Sequence, residues 1–263
     1  MRLTIPLTAC LVFAGAVTAQ EDALQAARAE YQALKAEYDA AMDSYYMASR
    51  RLTASADYKK ASEAQDMEAI SKLRASVRAP DKKTWIEKFQ KAADRYAPAA
   101  GEVPFLAWLA VWSQDKDVAT EVLGTIMERH AGSPDLLEIA EYVGVVRRTV
   151  GDELNAKVMD MLLASEHEMI KANALYTKGY ALVGGREPSA EDLEQGGALL
   201  AECAKLVDGT TLALRARAPE FQRTRLQIGM EVPDIVGADL DGVPFKLSDY
   251  RGKVVVIDFW GDW

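Results

Sequence analysis

The sequence IGMEVPDIVGADLDGVPFKLSDYRGKVVVIDFWGDW, residues 228–263, differs in pattern from everything before it. Asp241-Gly242 is a strong hairpin-turn signal, and apolar residues alternate with others on either side of it. The run VVVIDFW, residues 254–260, is continuously apolar except for one acid, which is typical of a strand buried on both faces. We therefore expect a β-hairpin across Asp241-Gly242, followed by a strand from Lys253 to Trp260.

Residues 20–79 show helical periodicity instead. Large side chains recur every seven residues, and alanines fall between them, which describes an a/d heptad seam. We expect one long helix whose seam pairs with residues 58–78, folded back as a helical hairpin. Homodimerisation through the same seam is the alternative. The large seam residues are Leu24, Tyr31, Tyr38, Tyr45 and Leu52.

Residues 80–207 carry repeated helix start and stop signals. Asp81 is placed to cap a helix, and Ser133-Pro134-Asp135 combines a capping hydroxyl, a proline and a first-turn acid. Gly184-Gly185 is a stop signal. No regular repeat length emerges, so we expect an irregular, only loosely repeat-like array of α-α hairpins. Residues 208–227, rich in arginine, are interpreted as a linker.

The N-terminal residues have the features of an export signal. Arg2 supplies a positive charge, residues 3–16 are uncharged and mainly apolar, and Val17-Thr18-Ala19 offers small residues to a signal peptidase. We expect cleavage after Ala19 and a periplasmic or secreted protein without a stable membrane span. Lipidation at Cys10 is a disfavoured alternative, because only six residues precede the motif Leu7-Thr8-Ala9-Cys10.

Composition and histidine spacing exclude several classes of function. Acidic residues outnumber basic ones 40 to 31, giving a formal net charge of -9. Because such a chain repels phosphate backbones, general nucleic-acid binding is not expected. His130 and His167 are not linked by metal-ligand spacing, so we expect no metal site. The sequence also lacks a phosphate loop and a dinucleotide fingerprint, and no cofactor is expected.

Four more short motifs accompany the hairpin turn in residues 228–263. In this order and without a gap, the five motifs resemble the opening of the redoxin family (AhpC/TSA-type), specifically TlpA-like and ResA-like thiol-disulfide oxidoreductases. The resemblance covers about 36 of the 263 residues. The motifs are Gly-x-x-x-Pro-Asp (Gly229, Pro233, Asp234), Asp241-Gly242, Leu-Ser-Asp-Tyr-Arg-Gly-Lys (residues 247–253), the buried strand and Phe-Trp-x-x-Trp (Phe259, Trp260, Trp263).

The resemblance implies a thioredoxin-like domain that exchanges thiols with protein disulfides. In the family, Cys-x-x-Cys follows Phe-Trp-x-x-Trp, and its first thiolate attacks the substrate disulfide. Asp258 would be a buried proton acceptor for the second thiol, with its pKa raised by desolvation. Phe259, Trp260 and Trp263 would flank the active site. Protein thiols and disulfides would be the substrates.

The catalytic cysteines are absent from residues 1–263. We therefore interpret the chain as a truncated form of a periplasmic thiol-disulfide oxidoreductase, without catalytic activity of its own. Cys203 has the helical spacing of a packed core residue and is not expected to replace the missing dithiol. A non-catalytic helical protein-protein interaction module of the cell envelope is the alternative function.

The expected fold is mainly α, with a small β part. An irregular α-α hairpin array with a long N-terminal heptad helix would precede the first β-hairpin and central strand of an incomplete α/β thioredoxin-like domain. The expected segments are a signal peptide (1–19), a long helical hairpin (20–79), a helical array (80–207), a linker (208–227) and the start of the thioredoxin-like domain (228–263).

Overall fold

A computed structural model of the chain describes the backbone of residues 7–259 and the side chains of residues 20–259. Within this part the chain forms twelve α-helices and one two-stranded antiparallel sheet, which confirms the prediction of a mainly α chain with a small β part. The helices are α1 (Leu7–Ala54), α2 (Ala56–Glu63), α3 (Met67–Arg74), α4 (Lys82–Tyr96), α5 (Val103–Trp112), α6 (Lys116–Arg129), α7 (Leu137–Glu141), α8 (Val143–Val150), α9 (Asp152–Leu163), α10 (Glu168–Val183), α11 (Ala190–Leu206) and α12 (Thr211–Arg225), and the strands are β1 (Val236–Ala238) and β2 (Pro244–Lys246).

The heptad seam is the inward face of α1, and it packs mainly on helices that the sequence did not suggest. Tyr31 meets the rings of Phe89 on α4 and Phe105 on α5 edge-on, with centroids 6.3 and 5.7 Å apart. Tyr38 likewise meets Trp85 and Trp108, at 5.3 and 5.0 Å. The expected partner, residues 58–78, forms the short helices α2 and α3, which also contact α1. Aromatic packing against α4 and α5 therefore covers the middle of the seam.

Helix α5 is the centre of the core. Every residue from Val103 to Val111 is buried, so the helix has no polar face and must be surrounded by others. Helices α4, α6, α7 and α8 contact it, and Phe89 stacks on Trp108 with centroids 3.6 Å apart and an interplanar angle of 2°. This stack fixes how α4 lies against α5.

The chain divides into two compact units, residues 1–177 and 178–263. The buried core described above lies wholly in the first unit, between Ala27 and Ala174. In the second unit, α11 and α12 make extensive contacts with each other. None of the helices in the described part is long and apolar enough to span a bilayer.

The expected linker, residues 208–227, is largely helical. Thr210 is the N-cap of α12, and its hydroxyl accepts a hydrogen bond from the Ala213 amide at 3.2 Å. The helix runs through Pro219 to Arg225. Ala213 and Ala216 are buried, which gives the arginine-rich helix an inner face. The arginines and Pro219 led to the linker interpretation, whereas the Thr210 cap and the buried alanines give residues 211–225 a packed helix.

The hairpin forms where the sequence predicted it, but the following strand does not. β1 and β2 pair antiparallel, with Val236 opposite Lys246 and Ala238 opposite Pro244. Residues 253–259 lie outside any sheet and are exposed, so the predicted strand from Lys253 to Trp260 is not seen in its described part. A strand requires a partner for its backbone hydrogen bonds, and the described hairpin strands pair only with each other.

Candidate functional site

The family-like segment, residues 228–259, is held together by its own motifs. Gly229 has φ 89°, a left-handed conformation that glycine adopts without strain. Asp234 then joins the two sides of the hairpin: its carboxylate accepts hydrogen bonds from both the backbone amide and the hydroxyl of Ser248, each at 2.8 Å. These hydrogen bonds lower the pKa of Asp234. The Pro-Asp motif and the Leu-Ser-Asp motif are thus parts of one structural unit.

A second aspartate organises the hairpin turn. The Asp239 carboxylate accepts from the backbone amides of Asp241 and Val243 at 3.0 and 2.9 Å. Gly242 adopts φ 79°, so the turn uses the glycine that the Asp-Gly signal placed there. The sequence therefore specified this turn locally, through Asp239 as well as through Asp241-Gly242.

The Leu-Ser-Asp-Tyr-Arg-Gly-Lys motif forms a tight 3-10 turn after β2. It covers Leu247–Tyr250, and the Asp249 carboxylate accepts from the Lys246 amide at 2.8 Å. Arg251 forms a salt bridge with Glu231 at 3.0 Å, on the exposed surface. Most of this motif is thus explained by turn and capping geometry, without any catalytic group.

Two of the predicted active-site residues, Asp258 and Phe259, lie at the end of the described part of this segment. Asp258 is exposed, and Phe259 is 83% exposed. The burial expected for Asp258 is therefore not found. Trp260 and Trp263 lie outside the described residues. The structure does not bring Asp258 or Phe259 together with any other candidate group that it describes.

Cys203 is separate from the family-like segment. It lies on α11 with 0% exposure, and burial raises the pKa of its thiol. A buried thiol with a raised pKa is a poor nucleophile, because the thiolate is the reactive form. The expectation that Cys203 is a packed core residue agrees with its burial.

The two histidines have hydrogen-bonded partners. The His130 Nε2 lies 2.7 Å from the buried carboxylate of Glu102, which joins the end of α6 to the start of α5. His167 Nε2 lies 3.1 Å from the Gly132 carbonyl oxygen. Among the residues whose placement is described, no group of three or more His, Cys, Asp or Glu side chains is arranged to hold a metal ion.

Comparison with known proteins gives a short match to one kind of enzyme. The chain is 45% identical over 42 residues to the thiol-disulfide oxidoreductase ResA of Geobacillus thermodenitrificans (strain NG80-2), and 48% identical over 42 residues to that of Geobacillus kaustophilus (strain HTA426). It is 44% identical over 41 residues to ResA of Bacillus anthracis. Each match covers 16% of this chain and 24% of the relative.

The remaining comparisons limit how far this likeness extends. The chain spans about a quarter of the length of the curated relatives that it matches. No family model matches the sequence, and no solved structure matches the chain. Over a short segment, the chain is related to thioredoxin-like thiol-disulfide oxidoreductases of the ResA kind.

Proposed function

We propose that the protein to which this chain belongs is a periplasmic thiol-disulfide oxidoreductase of the thioredoxin-like family. The identity to ResA proteins over about 42 residues carries this proposal. The structure of the segment supports it, because hydrogen bonds between Asp234 and Ser248, fourteen positions apart, join the Pro-Asp and Leu-Ser-Asp motifs. Protein thiols and disulfides are the proposed substrates.

The proposal places the reacting dithiol outside residues 1–263, since the sequence holds two cysteines, Cys10 and Cys203, and no Cys-x-x-Cys. Exchange needs one thiolate to attack a disulfide and a second thiol to resolve the mixed disulfide. In the complete domain, Asp258 would accept the proton of the second thiol, and Phe259, Trp260 and Trp263 would flank the dithiol. The helical region would position or select the substrates.

The decisive experiment is insulin-disulfide reduction by dithiothreitol in the presence of the protein. We expect residues 1–263 to give no acceleration over dithiothreitol alone, whereas a form extended through a Cys-x-x-Cys motif accelerates it. An extended variant with both cysteines replaced by serine is the matched control. Comparable activity of residues 1–263, or inactivity of the extended form, would contradict the proposal.

The proposed location follows from the expected export signal. Material recovered from a periplasmic extract should begin at Gln20 on N-terminal sequencing, because cleavage is expected after Ala19. Intact Met1 on soluble cytoplasmic protein would argue against export.

The alternative, a helical interaction module, is favoured by the exposed aromatic surface of the first unit, which is described below. Homodimerisation through the heptad seam is a separate hypothesis. A second chain would have to displace α4 and α5 from Tyr31 and Tyr38, since these rings already pack there. Sedimentation equilibrium of the chain measures whether such a dimer forms.

A further inference from the structure

An aromatic groove runs along α1 in the first unit, beside α5 and α7. It consists of two adjoining cavities of about 390 Å³ each, and both are lined by Lys35, Asp39 and Trp112. The shared lining residues make the two cavities one continuous surface, which we call the aromatic groove. Its aromatic lining residues are Tyr31, Tyr38, Tyr46, Trp108, Trp112 and Tyr142.

Tyr31 and Trp108 are the buried base of the groove, whereas Tyr46 and Tyr142 are exposed. Trp112 Nε1 donates a hydrogen bond to the Glu138 carboxylate at 2.7 Å, which orients the indole. Its ring lies 4.8 Å from that of Tyr142, centroid to centroid. Tyr142 is 40% exposed and Tyr46 is 54% exposed. Large exposed aromatic side chains of this kind are typical of binding surfaces.

The groove also carries an excess of negative charge. Its described lining contains the carboxylates of Asp39, Asp43, Glu138 and Glu141 but only one basic group, Lys35. Lys35 is paired with Asp39 at 2.7 Å.

The four carboxylates differ in whether they have hydrogen-bond or ion-pair partners. Glu138 accepts hydrogen bonds from the Tyr31 hydroxyl and from Trp112. The structure shows no ion pair or hydrogen bond for the side chains of Asp43 and Glu141 among the residues that it describes. Partial burial, and then the nearby charge of Glu138, raise the pKa of Glu141. The groove thus has two carboxylates, Asp43 and Glu141, that pair with no side chain in the described part of the chain.

The dimensions and the charge point to one class of occupant. The lining extends along α1 from Tyr31 to Tyr46, which at about 1.5 Å per residue is roughly 22 Å. An extended peptide of about seven residues spans that length. Arginine and lysine side chains bind both to carboxylates and to aromatic faces.

We propose that the aromatic groove binds an extended segment of a partner protein that carries arginine or lysine side chains. Asp43 and Glu141 would pair with the cations, and Tyr46, Trp112 and Tyr142 would contact the cations and the intervening apolar residues. The inference concerns residues of the first unit alone and does not depend on the proposed redox function.

The test is a binding titration with a labelled heptapeptide in which three arginines alternate with prolines. Proline favours an extended conformation and reduces the entropy lost on binding. We expect saturable binding to the full chain that weakens as salt is added. The double variant Asp43→Asn with Glu141→Gln should bind about fivefold more weakly. Glu121→Gln with Glu128→Gln, the matched control on α6, removes the same charge outside the groove and should change the affinity less than about twofold.

A second variant separates the aromatic contribution from the charge. Tyr142→Ala keeps every carboxylate, and circular dichroism establishes that it remains folded; it should weaken binding of the arginine peptide as well. A peptide with glutamate in place of arginine should not bind. The proposal is overturned by the absence of saturable binding, by equal losses in the two double variants, by an unchanged affinity of folded Tyr142→Ala, or by tighter binding of the glutamate peptide.

Discussion

Asp234 is the residue on which the family-like segment depends most directly. Its carboxylate accepts hydrogen bonds from the Ser248 amide and hydroxyl, which join the residues before β1 to those after β2. No side-chain periodicity marks this aspartate, so only the Pro-Asp motif could have drawn attention to it. Its structural role depends on the hydrogen bonds with Ser248, which lies fourteen positions later in the sequence.

The first prediction is that Asp234→Asn loosens the segment. An amide side chain has one acceptor where the carboxylate has two, so one hydrogen bond with Ser248 is lost. We expect the Ser248 amide to exchange with solvent about fivefold faster than in the parent chain. Hydrogen exchange measured by NMR checks this. Asp241→Asn, which changes an exposed carboxylate in the same hairpin, should leave that rate unaltered.

The same carboxylate gives the segment a pH dependence. The pKa of Asp234 is lowered in the folded chain. Its carboxylate therefore contributes fully to the stability of the folded segment when the pH is above the ordinary pKa of an unfolded aspartate, about 3.9. The contribution is lost as the pH falls through the lower, folded-state pKa. The chemical shift of the Ser248 amide should therefore stay constant from neutral pH to about pH 4 and change only below it.

At the scale of elements, a close crossing of α10 and α11 orders the second unit. A Cβ placed on Gly196 would lie 2.7 Å from Val183 Cγ1 and 2.8 Å from the Gly179 carbonyl oxygen. The carbonyl belongs to a helix backbone and cannot move aside cheaply. The neighbouring Gly197 has no atom within 4 Å of such a Cβ.

The second prediction uses this difference between adjacent glycines. Gly196→Ala should lower the free energy of unfolding by about 1–3 kcal/mol, because the helices must move apart. Gly197→Ala should raise it by about 0.5–1 kcal/mol, because alanine favours the helix. Urea unfolding followed by circular dichroism measures both. Shifts of the same sign and size would mean that the crossing is not as close as described.

Other elements show how local signals can mislead. Ser133 caps the start that the sequence indicated, but the helical residues that follow it up to Val150 are divided into a 3-10 turn, α7 and α8. The apolar spacing continues across the break near Tyr142, so periodicity alone could not reveal it. In α12, by contrast, Pro219 is a local signal for a helix break, but the helix continues through it.

At the scale of the whole molecule, the third prediction is that the first unit folds alone. Its core of buried residues, from Ala27 to Ala174, is centred on α5 and includes none of the second unit. A fragment of residues 20–177 should be helical by circular dichroism and should unfold cooperatively on heating. A fragment that is unfolded, or that loses its helicity gradually, would show that the first unit needs the rest of the chain.

The sequence by itself determined the helical periodicity, the inward face of α1 and the hairpin turn at Asp241-Gly242. Each depends on residues close in sequence, through helical spacing, capping or turn geometry. The tertiary structure decided that α4 and α5 cover the seam of α1, that residues 211–225 pack as a helix, and that an acidic aromatic groove forms beside Trp112. It also left Asp258 exposed and residues 254–259 unpaired. These outcomes depend on which distant surfaces meet, since a side chain is buried and a strand is paired only by a partner elsewhere in the fold.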